Sequence, residues 1–440
     1  MKTMGWIILI TAIIVETAFA VYCIRTRSSQ PKVRNLIWIA AFLTFALHAA
    51  TAVLEWGFRY YLLGAVLLAG AIAGAVRLIR PEKEKGAPKT SRIVWNAIGM
   101  AGCFSFLAFP SILFPQYRII ETTGAYPVTR AAYTLTDTGR VETYSEAGGY
   151  RKLNVEFWYP AHADESFPLV IFSHGAFGMR SSNESLYNEL ASHGYVVAAI
   201  DHTYQNLYAI DESGRMTFVD QGYMNELMTE DAQADRERSL GLYRKWMAVR
   251  SGDIQFVLNA ILAGADNPDA GEVYRLVDPA RIGVMGHSLG GSAALCIGRQ
   301  RPDVQAVLAL ESPFMCDIEG VRDGEFVFTE DAYPVPVLNV YSDSTWVRLA
   351  GLPQYAKNVS LLSGNMSGSN PQVFNVYLRG TGHLTLTDLA LASPILTRVL
   401  NGHETTLPAR DALAAVNRLS LAFFDRFLKG QGEFDPAGMH

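Results

Sequence analysis

The chain has 440 residues, half of them hydrophobic, with a net charge of −5 and a pI near 6. This length exceeds that of one average domain and predicts two regions. The charge balance argues against nucleic-acid binding, which usually leaves a basic surface on a protein.

Four apolar stretches lie within the first 115 residues, at 6–24, 36–56, 60–79 and 93–114. Each is about 20 residues long, the length that crosses a bilayer as a helix. Buried helices of a soluble protein carry a polar stripe, and residues 61–76 have none. We therefore predict a transmembrane region of four helices over residues 1–115, in contact with membrane lipids.

The loops between these stretches differ in charge. The first contains four basic residues and the third contains five, with Arg77 just before it, whereas the second has only Arg59. The positive-inside rule assigns the first and third loops to the cytoplasm. The sequence thus predicts a multi-pass membrane protein in which everything after residue 114 is extracytoplasmic.

Residues 1–20 also resemble a signal peptide, with Ala18-Phe19-Ala20 as a cleavage site. Glu16 just before that site and the basic stretch after it favour an uncleaved helix. We interpret Glu16 and His48, which lie inside apolar runs, as groups that hydrogen-bond between helices or lie at interfacial depth.

From residue 116 the composition becomes that of a water-soluble domain. We interpret residues 116–150 as a leader and residues 151–440 as a catalytic domain. There, short β-branched runs alternate with helical patterns, which is typical of a mostly parallel sheet. Strands are predicted at 153–159, 169–173, 196–201, 281–285, 304–310, 337–341 and 373–378, and helices at 184–193, 240–262, 291–299 and 410–428.

The four cysteines form no CxxC pair, so the sequence carries no zinc motif of that type. We expect neither a metal nor an organic cofactor. Cys296 and Cys316 are interpreted as small buried core residues, with a disulfide in an oxidising compartment as the alternative.

The motif that indicates chemistry is Gly286-His287-Ser288-Leu289-Gly290-Gly291. It follows an apolar predicted strand and precedes a predicted helix, which is the setting of the nucleophile elbow in the α/β-hydrolase fold. Glycines on both sides of the serine permit the sharp turn that exposes its oxygen. Ser288 is therefore the predicted nucleophile.

Acyl transfer also requires oxyanion donors and a base. The N–H of Leu289 is the first expected donor, and Ala176, in the glycine loop after strand 169–173, is the second. His383 follows the last predicted strand, in a loop that Gly380 and Gly382 shape, and is the predicted base. His174 and His287 precede or adjoin the serine and are interpreted as structural neighbours.

The acid of the triad is open from the residues alone. Glu311 and Asp343 both follow predicted strands, at carboxyl ends where a side chain can reach the histidine. The usual order of the fold favours Asp343 slightly, because the acid commonly follows the later strand.

Several segments resemble the plasma-type platelet-activating-factor acetylhydrolases and their bacterial relatives. They are residues 155–160 (VEFWYP), 171–175 (IFSHG), 190–202 (LASHGYVVAAIDH) and the GHSLGG elbow. The resemblance covers roughly residues 126–428. It implies a calcium-independent serine esterase that removes short or oxidised acyl chains from phospholipids. It also implies Glu311 as the acid, at a position where the family normally has Asp.

Together these observations predict an α/β-hydrolase fold, with a mostly parallel sheet flanked by helices, after a four-helix transmembrane region. The expected function is a membrane-anchored serine carboxylic ester hydrolase acting on a lipophilic ester. Two alternatives stay open: a thioesterase or acyltransferase with the same triad, and a non-catalytic membrane protein with a hydrolase-like binding domain.

Overall fold

The computed structural model describes residues 3–80, 88–144, 148–267, 269–363 and 372–436. The chain divides into two compact units. The first comprises Met1–Arg118 with Leu391–Leu396, and the second comprises Ile119–Ala390 with Thr397–His440.

The first unit contains the four apolar helices. They are α1 (Met4–Thr26), α2 (Pro31–Ala50), α3 (Phe58–Ile79) and α4 (Thr90–Leu113). Their mean hydropathies of 2.4, 1.5, 2.2 and 1.5 make each long and apolar enough to cross a membrane. All four predicted helices are present, although α2 ends at Ala50 and not at residue 56.

Small residues and one ion pair join these helices. A side chain at Gly70 would lie within 2.3 Å of the Trp38 ring, and one at Gly74 within 2.9 Å of the Asn35 carbonyl. Glu16 of α1 accepts two 2.7 Å hydrogen bonds from the Arg34 guanidinium of α2. Glu16 is therefore a helix–helix partner, one of the two roles that we expected.

The second unit is built on an eight-stranded sheet. Its strands are β1 (Val128–Val141), β2 (Tyr150–Pro160), β3 (Phe167–Ser173), β4 (Val196–Asp201), β7 (Val277–His287), β8 (Val304–Leu310), β11 (Val337–Ser342) and β12 (Val373–Leu378), with two hairpins, β5 (Tyr208–Ile210) with β6 (Met216–Phe218) and β9 (Ile318–Arg322) with β10 (Glu325–Phe328). The spatial order is β1-β2-β4-β3-β7-β8-β11-β12. All pairs from β4 to β12 are parallel, and β2 is antiparallel to both neighbours.

Helices cover both faces of this sheet. The helices that follow α4 in the chain are α5 (Glu184–Ser192), α6 (Gln221–Thr229), α7 (Arg236–Ala265), α8 (Glu272–Arg275), α9 (Leu289–Gln300), α10 (Asp343–Trp346), α11 (Ala356–Ser363), α12 (Leu389–Ala392), α13 (Pro394–Asn401) and α14 (Ala409–Leu428). Leu169 and Ile171 of β3 face the core under α7 and α9. Val170 and Phe172 face the opposite core, under α5 and α14. This alternation on a sheet buried on both faces confirms the predicted fold class.

Strand β1 differs from the sequence-based expectation. It lies inside residues 116–150, which we interpreted as a leader, and pairs antiparallel with β2 from Val128 to Asp137. Ala131, Tyr133 and Leu135 are its half-buried core-facing residues. The other face is polar, as suits an edge strand. A pattern with so little apolar bulk does not stand out in the sequence.

The interpretation of Cys296 and Cys316 as two unpaired core residues is wrong. They form a disulfide across a sequence separation of 20. The bond joins α9, which begins directly after Ser288, to the segment that follows Glu311. No local motif marks such a pair, because the two residues meet only when β8 lies beside β7.

Candidate active site

The turn after β7 holds Ser288 in a strained conformation. Its φ is 53° and its ψ is −123°, a region that non-glycine residues rarely adopt. A side chain at Gly286 would lie 2.4 Å from the Gly290 carbonyl group, and one at Gly290 would lie 2.1 Å from the Ser173 carbonyl oxygen. Only glycine fits at both positions. The turn leaves Ser288 half-buried.

His383 lies in the loop after β12 and contacts a carboxylate. Its Nδ1 is 3.1 Å from Oε2 of Glu311, and Glu311 is 1% exposed. The same carboxylate accepts hydrogen bonds from the Ser342 N–H and, at 2.5 Å, from the Thr345 hydroxyl. These donors hold the carboxylate in one orientation, with one oxygen directed at the imidazole.

Asp343 has different partners. Its carboxylate accepts a 2.6 Å bond from the Tyr377 hydroxyl and bonds of 3.1 Å from the Gly380 N–H. Asp343 therefore anchors the loop that leads to His383. Of the two candidate acids, the structure brings Glu311 to the histidine.

His383 packs directly against the elbow. Its ring lies 4.5 Å from the ring of His287, the residue before Ser288. His287 Nε2 donates to the His383 carbonyl oxygen at 3.0 Å. Burial, followed by the nearby charge of His383, lowers the pKa of His287 well below its usual value. His287 is thus neutral and serves to fix the main chain of His383.

In the described ranges, the Ser288 hydroxyl makes no hydrogen bond to a protein group. A bond between this hydroxyl and His383 therefore requires a change in side-chain orientation. Such bonds are often long or unformed before a substrate binds.

The expected oxyanion donors flank Ser288. Leu289 is the first residue of α9, where helix N–H groups are unpaired and the helix dipole favours negative charge. A side chain at Gly175 would lie 3.3 Å from the Ser288 Cβ, so the loop that carries Ala176 passes directly beside the serine. Phe177 then turns the loop with a φ of 58°.

Arg250 of α7 holds this loop from behind. Its guanidinium donates to the His174 carbonyl oxygen at 2.5 Å and to the Gly175 carbonyl oxygen at 3.4 Å. Arg250 is fully buried. Because two successive carbonyls are bound away from Ser288, the following N–H groups are free to face it.

A second Ser–His–Asp chain lies in the interior. The Ser173 hydroxyl is 2.8 Å from Nε2 of His202, and Nδ1 of His202 is 2.9 Å from Asp253. Arg151 binds the same carboxylate through two 2.6 Å bonds. Ser173, His202 and Asp253 are all fully buried. No substrate reaches them, so this hydrogen-bonded triad is structural.

Electrostatics agree with this assignment. Burial, followed by the charge of Arg250, lowers the pKa of His202 to about 4. Burial raises the pKa of Asp253, but the stronger combined effect of Arg151 and His202 holds it below its usual range. His202 is therefore neutral, donates to Asp253 and accepts from Ser173. The sequence signal that we missed is a pair of charged residues, Arg250 and Asp253, on the buried side of α7.

No group of three or more His, Cys, Asp or Glu side chains is arranged to hold a metal ion within the described residues. The site consists of a serine at a strained elbow, a histidine–carboxylate pair and backbone donors. These features and the eight-stranded sheet define a protein of the α/β-hydrolase class.

The chain belongs to the family described as platelet-activating factor acetylhydrolase, isoform II, whose model matches residues 141–438. The platelet-activating factor acetylhydrolase of Gallus gallus is 25% identical over 303 residues, which cover 62% of this chain and 64% of that protein. That of Cavia porcellus is 24% identical over 307 residues, 65% of this chain and 63% of that protein. The chain thus matches somewhat less than two thirds of the length of these relatives.

A solved structure also resembles the chain. The ferulic acid esterase from Streptomyces cinnamoneus superposes with a TM-score of 0.54 at 25% sequence identity, covering 72% of this chain and 94% of that one. The resemblance agrees with the fold described above.

We expect Asp253→Asn to lower the free energy of unfolding by about 3 kcal/mol, because the buried Arg151 loses its two 2.6 Å bonds to this carboxylate and keeps only Glu142 as an ionic partner. Asp303→Asn is the matched control. Asp303 pairs with Arg301 at the surface, and its loss should cost less than about 1 kcal/mol. Denaturant unfolding followed by circular dichroism measures both. Equal losses in the two variants would contradict a structural role for the buried chain.

Proposed function

We propose that this protein is a membrane-anchored serine carboxylic ester hydrolase. Residues 1–115 form the anchor, and the second unit, which begins at Ile119 and includes β1, forms the catalytic domain. The observation that carries the proposal is a strained, half-buried Ser288 on an elbow that packs against His383, a histidine paired with the buried carboxylate of Glu311. Membership in a family named for an acetylhydrolase and the fold shared with an esterase support the same conclusion.

In the first half-reaction, the Ser288 oxygen attacks the ester carbonyl and His383 Nε2 takes the hydroxyl proton. Glu311 stabilises the imidazolium that forms and fixes the ring through Nδ1. The N–H groups of Leu289 and Ala176 bind the oxyanion of the tetrahedral intermediate. His383 then protonates the departing alcohol, leaving the acyl group on Ser288.

Water completes the reaction. His383 removes a proton from a water molecule that attacks the acyl-enzyme carbonyl, through a second tetrahedral intermediate bound by the same donors. The carboxylic acid leaves and the proton returns to Ser288. Residues of this protein carry out every proton transfer in both half-reactions.

The catalytic roles are tested by Ser288→Ala, Glu311→Gln and Asp343→Asn, assayed with p-nitrophenyl butyrate in detergent. We expect Ser288→Ala to lose roughly ten-thousand-fold or more in kcat. Glu311→Gln should lose about a thousand- to ten-thousand-fold, because its amide no longer stabilises the imidazolium. Asp343→Asn should keep most of its activity.

Matched thermal unfolding of the three variants separates catalytic loss from misfolding. If Asp343→Asn loses as much activity as Glu311→Gln at unchanged stability, the assignment of the acid is wrong. If wild type and Ser288→Ala are equally inert, and neither reacts with a fluorophosphonate, the binding-protein alternative replaces the esterase.

The substrate that we propose is a lipophilic ester. The β5–β6 hairpin exposes four large apolar side chains to solvent: Tyr208, Ile210, Met216 and Phe218. It adjoins the oxyanion loop, since the Leu207 N–H donates to the Gly178 carbonyl at 3.3 Å. An apolar surface next to the oxyanion loop favours substrates that carry hydrocarbon chains.

A series of p-nitrophenyl esters from acetate to palmitate tests this preference. The double variant Ile210→Asn/Phe218→Asn should raise KM for the longer esters by roughly tenfold or more, because each large apolar contact contributes about 1–3 kcal/mol. Its KM for the acetate ester should be unchanged. An equal rise in KM for the esters of all chain lengths would exclude the hairpin as an acyl-binding surface.

We further propose that the catalytic domain is extracytoplasmic. The basic first and third loops support this orientation through the positive-inside rule. The Cys296–Cys316 bond supports it independently, because disulfides persist in oxidising compartments.

A membrane-impermeant fluorophosphonate tests the orientation in sealed vesicles. It should label wild type in right-side-out vesicles and should label inside-out vesicles only after detergent is added. Ser288→Ala is the unlabelled control. Labelling of intact inside-out vesicles alone would reverse the assigned orientation.

A further inference from the structure

A cavity of about 1350 Å³ lies at one end of the four-helix bundle. Its walls come from the C-terminal parts of α1 and α3 and the N-terminal parts of α2 and α4. This is the end that the positive-inside rule assigns to the cytoplasm. All residues of the proposed active site belong to the other unit, so the cavity is a separate feature of the molecule.

The charged residues of the cavity wall are mostly basic. They are Arg34, Arg77, Arg80, Lys89, Arg92 and Glu16. Glu16 is already paired with Arg34, so the described part of the wall is left with four positive charges that no described carboxylate balances. The segment 81–87 lies outside the described residues, and its two Lys and two Glu add no net charge.

Among the described residues, the four remaining cations have no protein partner. Within the described ranges, the side chains of Arg77, Arg80, Lys89 and Arg92 make neither an ion pair nor a hydrogen bond. Like charges around one cavity repel each other. An anion bound between them converts that repulsion into attraction, and guanidinium groups suit the oxygens of a phosphate.

The rest of the wall includes apolar side chains. Phe19, Ile93, Trp95 and Met100 line the same cavity, and Trp95 is 70% exposed. A ligand that suits both the basic and the apolar side chains of the wall carries an anionic group next to a hydrocarbon chain. Basic pockets between transmembrane helices on the cytoplasmic side bind phospholipid head groups in this way.

We propose that this cavity binds a phosphate ester anion, supplied by the head group of an anionic phospholipid of the cytoplasmic leaflet. A small soluble phosphate offers the same anionic chemistry without the hydrocarbon. The inference depends on the proposed membrane insertion of α1–α4 and not on ester hydrolysis. It adds a lipid-binding role to a region otherwise assigned only to anchoring.

The test uses the full-length protein in the Ser288→Ala background, so that bound lipid is not hydrolysed. Native mass spectrometry measures binding of phosphatidylglycerol and of zwitterionic phosphatidylcholine to the detergent-solubilised protein. We expect phosphatidylglycerol to bind roughly tenfold tighter or more, since each nearby basic residue contributes about a fivefold gain for an anionic lipid.

Two triple variants separate the cavity from general surface charge. Arg77→Gln/Arg80→Gln/Arg92→Gln removes three cations of the cavity and should abolish the preference for phosphatidylglycerol. Arg25→Gln/Arg27→Gln/Lys32→Gln is the matched control. It removes the same charge from the first loop, on the same side of the bundle, from residues that do not line the cavity. The control should keep the preference.

Inorganic phosphate identifies the source of the anion. If millimolar phosphate does not displace phosphatidylglycerol, the ligand is the lipid. If phosphate displaces the lipid, and phosphate alone binds the parent protein but not the cavity variant, the site takes small phosphates. Equal binding of the two lipids to the parent, or equal loss of preference in both triple variants, overturns the proposal. Thermal unfolding confirms that each variant is folded, and the result is independent of the esterase assays.

Discussion

The backbone turn at Ser288 is the constraint on which the catalytic domain depends. The chain leaves β7, reverses at a residue with positive φ and enters α9 within two residues. The turn packs so closely against the end of β3 that Gly290 contacts the Ser173 carbonyl with no room for a side chain. Strain of this kind persists only where the surroundings determine the backbone from several sides. Here those surroundings are two parallel strands, a helix and the oxyanion loop.

Buried charge supplies much of that support. Arg250 binds carbonyls of the oxyanion loop, while Asp253, one turn further along α7, is bound by Arg151 and His202. Each of these groups is costly to bury alone and acceptable only when all partners are present. The oxyanion loop therefore has one low-energy arrangement, which suits a site that must present donors in advance.

Local patterns were sufficient for most of the fold. The short continuous apolar run of β3 and the apolar runs of helix length in residues 1–115 depend only on neighbouring residues, so the sequence reveals them directly. The elbow motif and the position of His383 after the last strand likewise indicated the class of site. Strand β1 was missed because an edge strand with one polar face has a weak pattern. The disulfide was missed because it joins residues 20 positions apart.

The sequence by itself determined the two-region organisation, the α/β class and the identity of the proposed nucleophile and base. It left Glu311 and Asp343 open, because both follow strands and strand ends look alike in one dimension. Only the tertiary structure distinguished them: Asp343 is bound by Tyr377 and Gly380, and Glu311 reaches His383. Which carboxylate reaches the histidine depends on how β8, β11 and β12 lie side by side and on the hydrogen-bond donors around each carboxylate. Local periodicity encodes neither the order of the strands nor these donors.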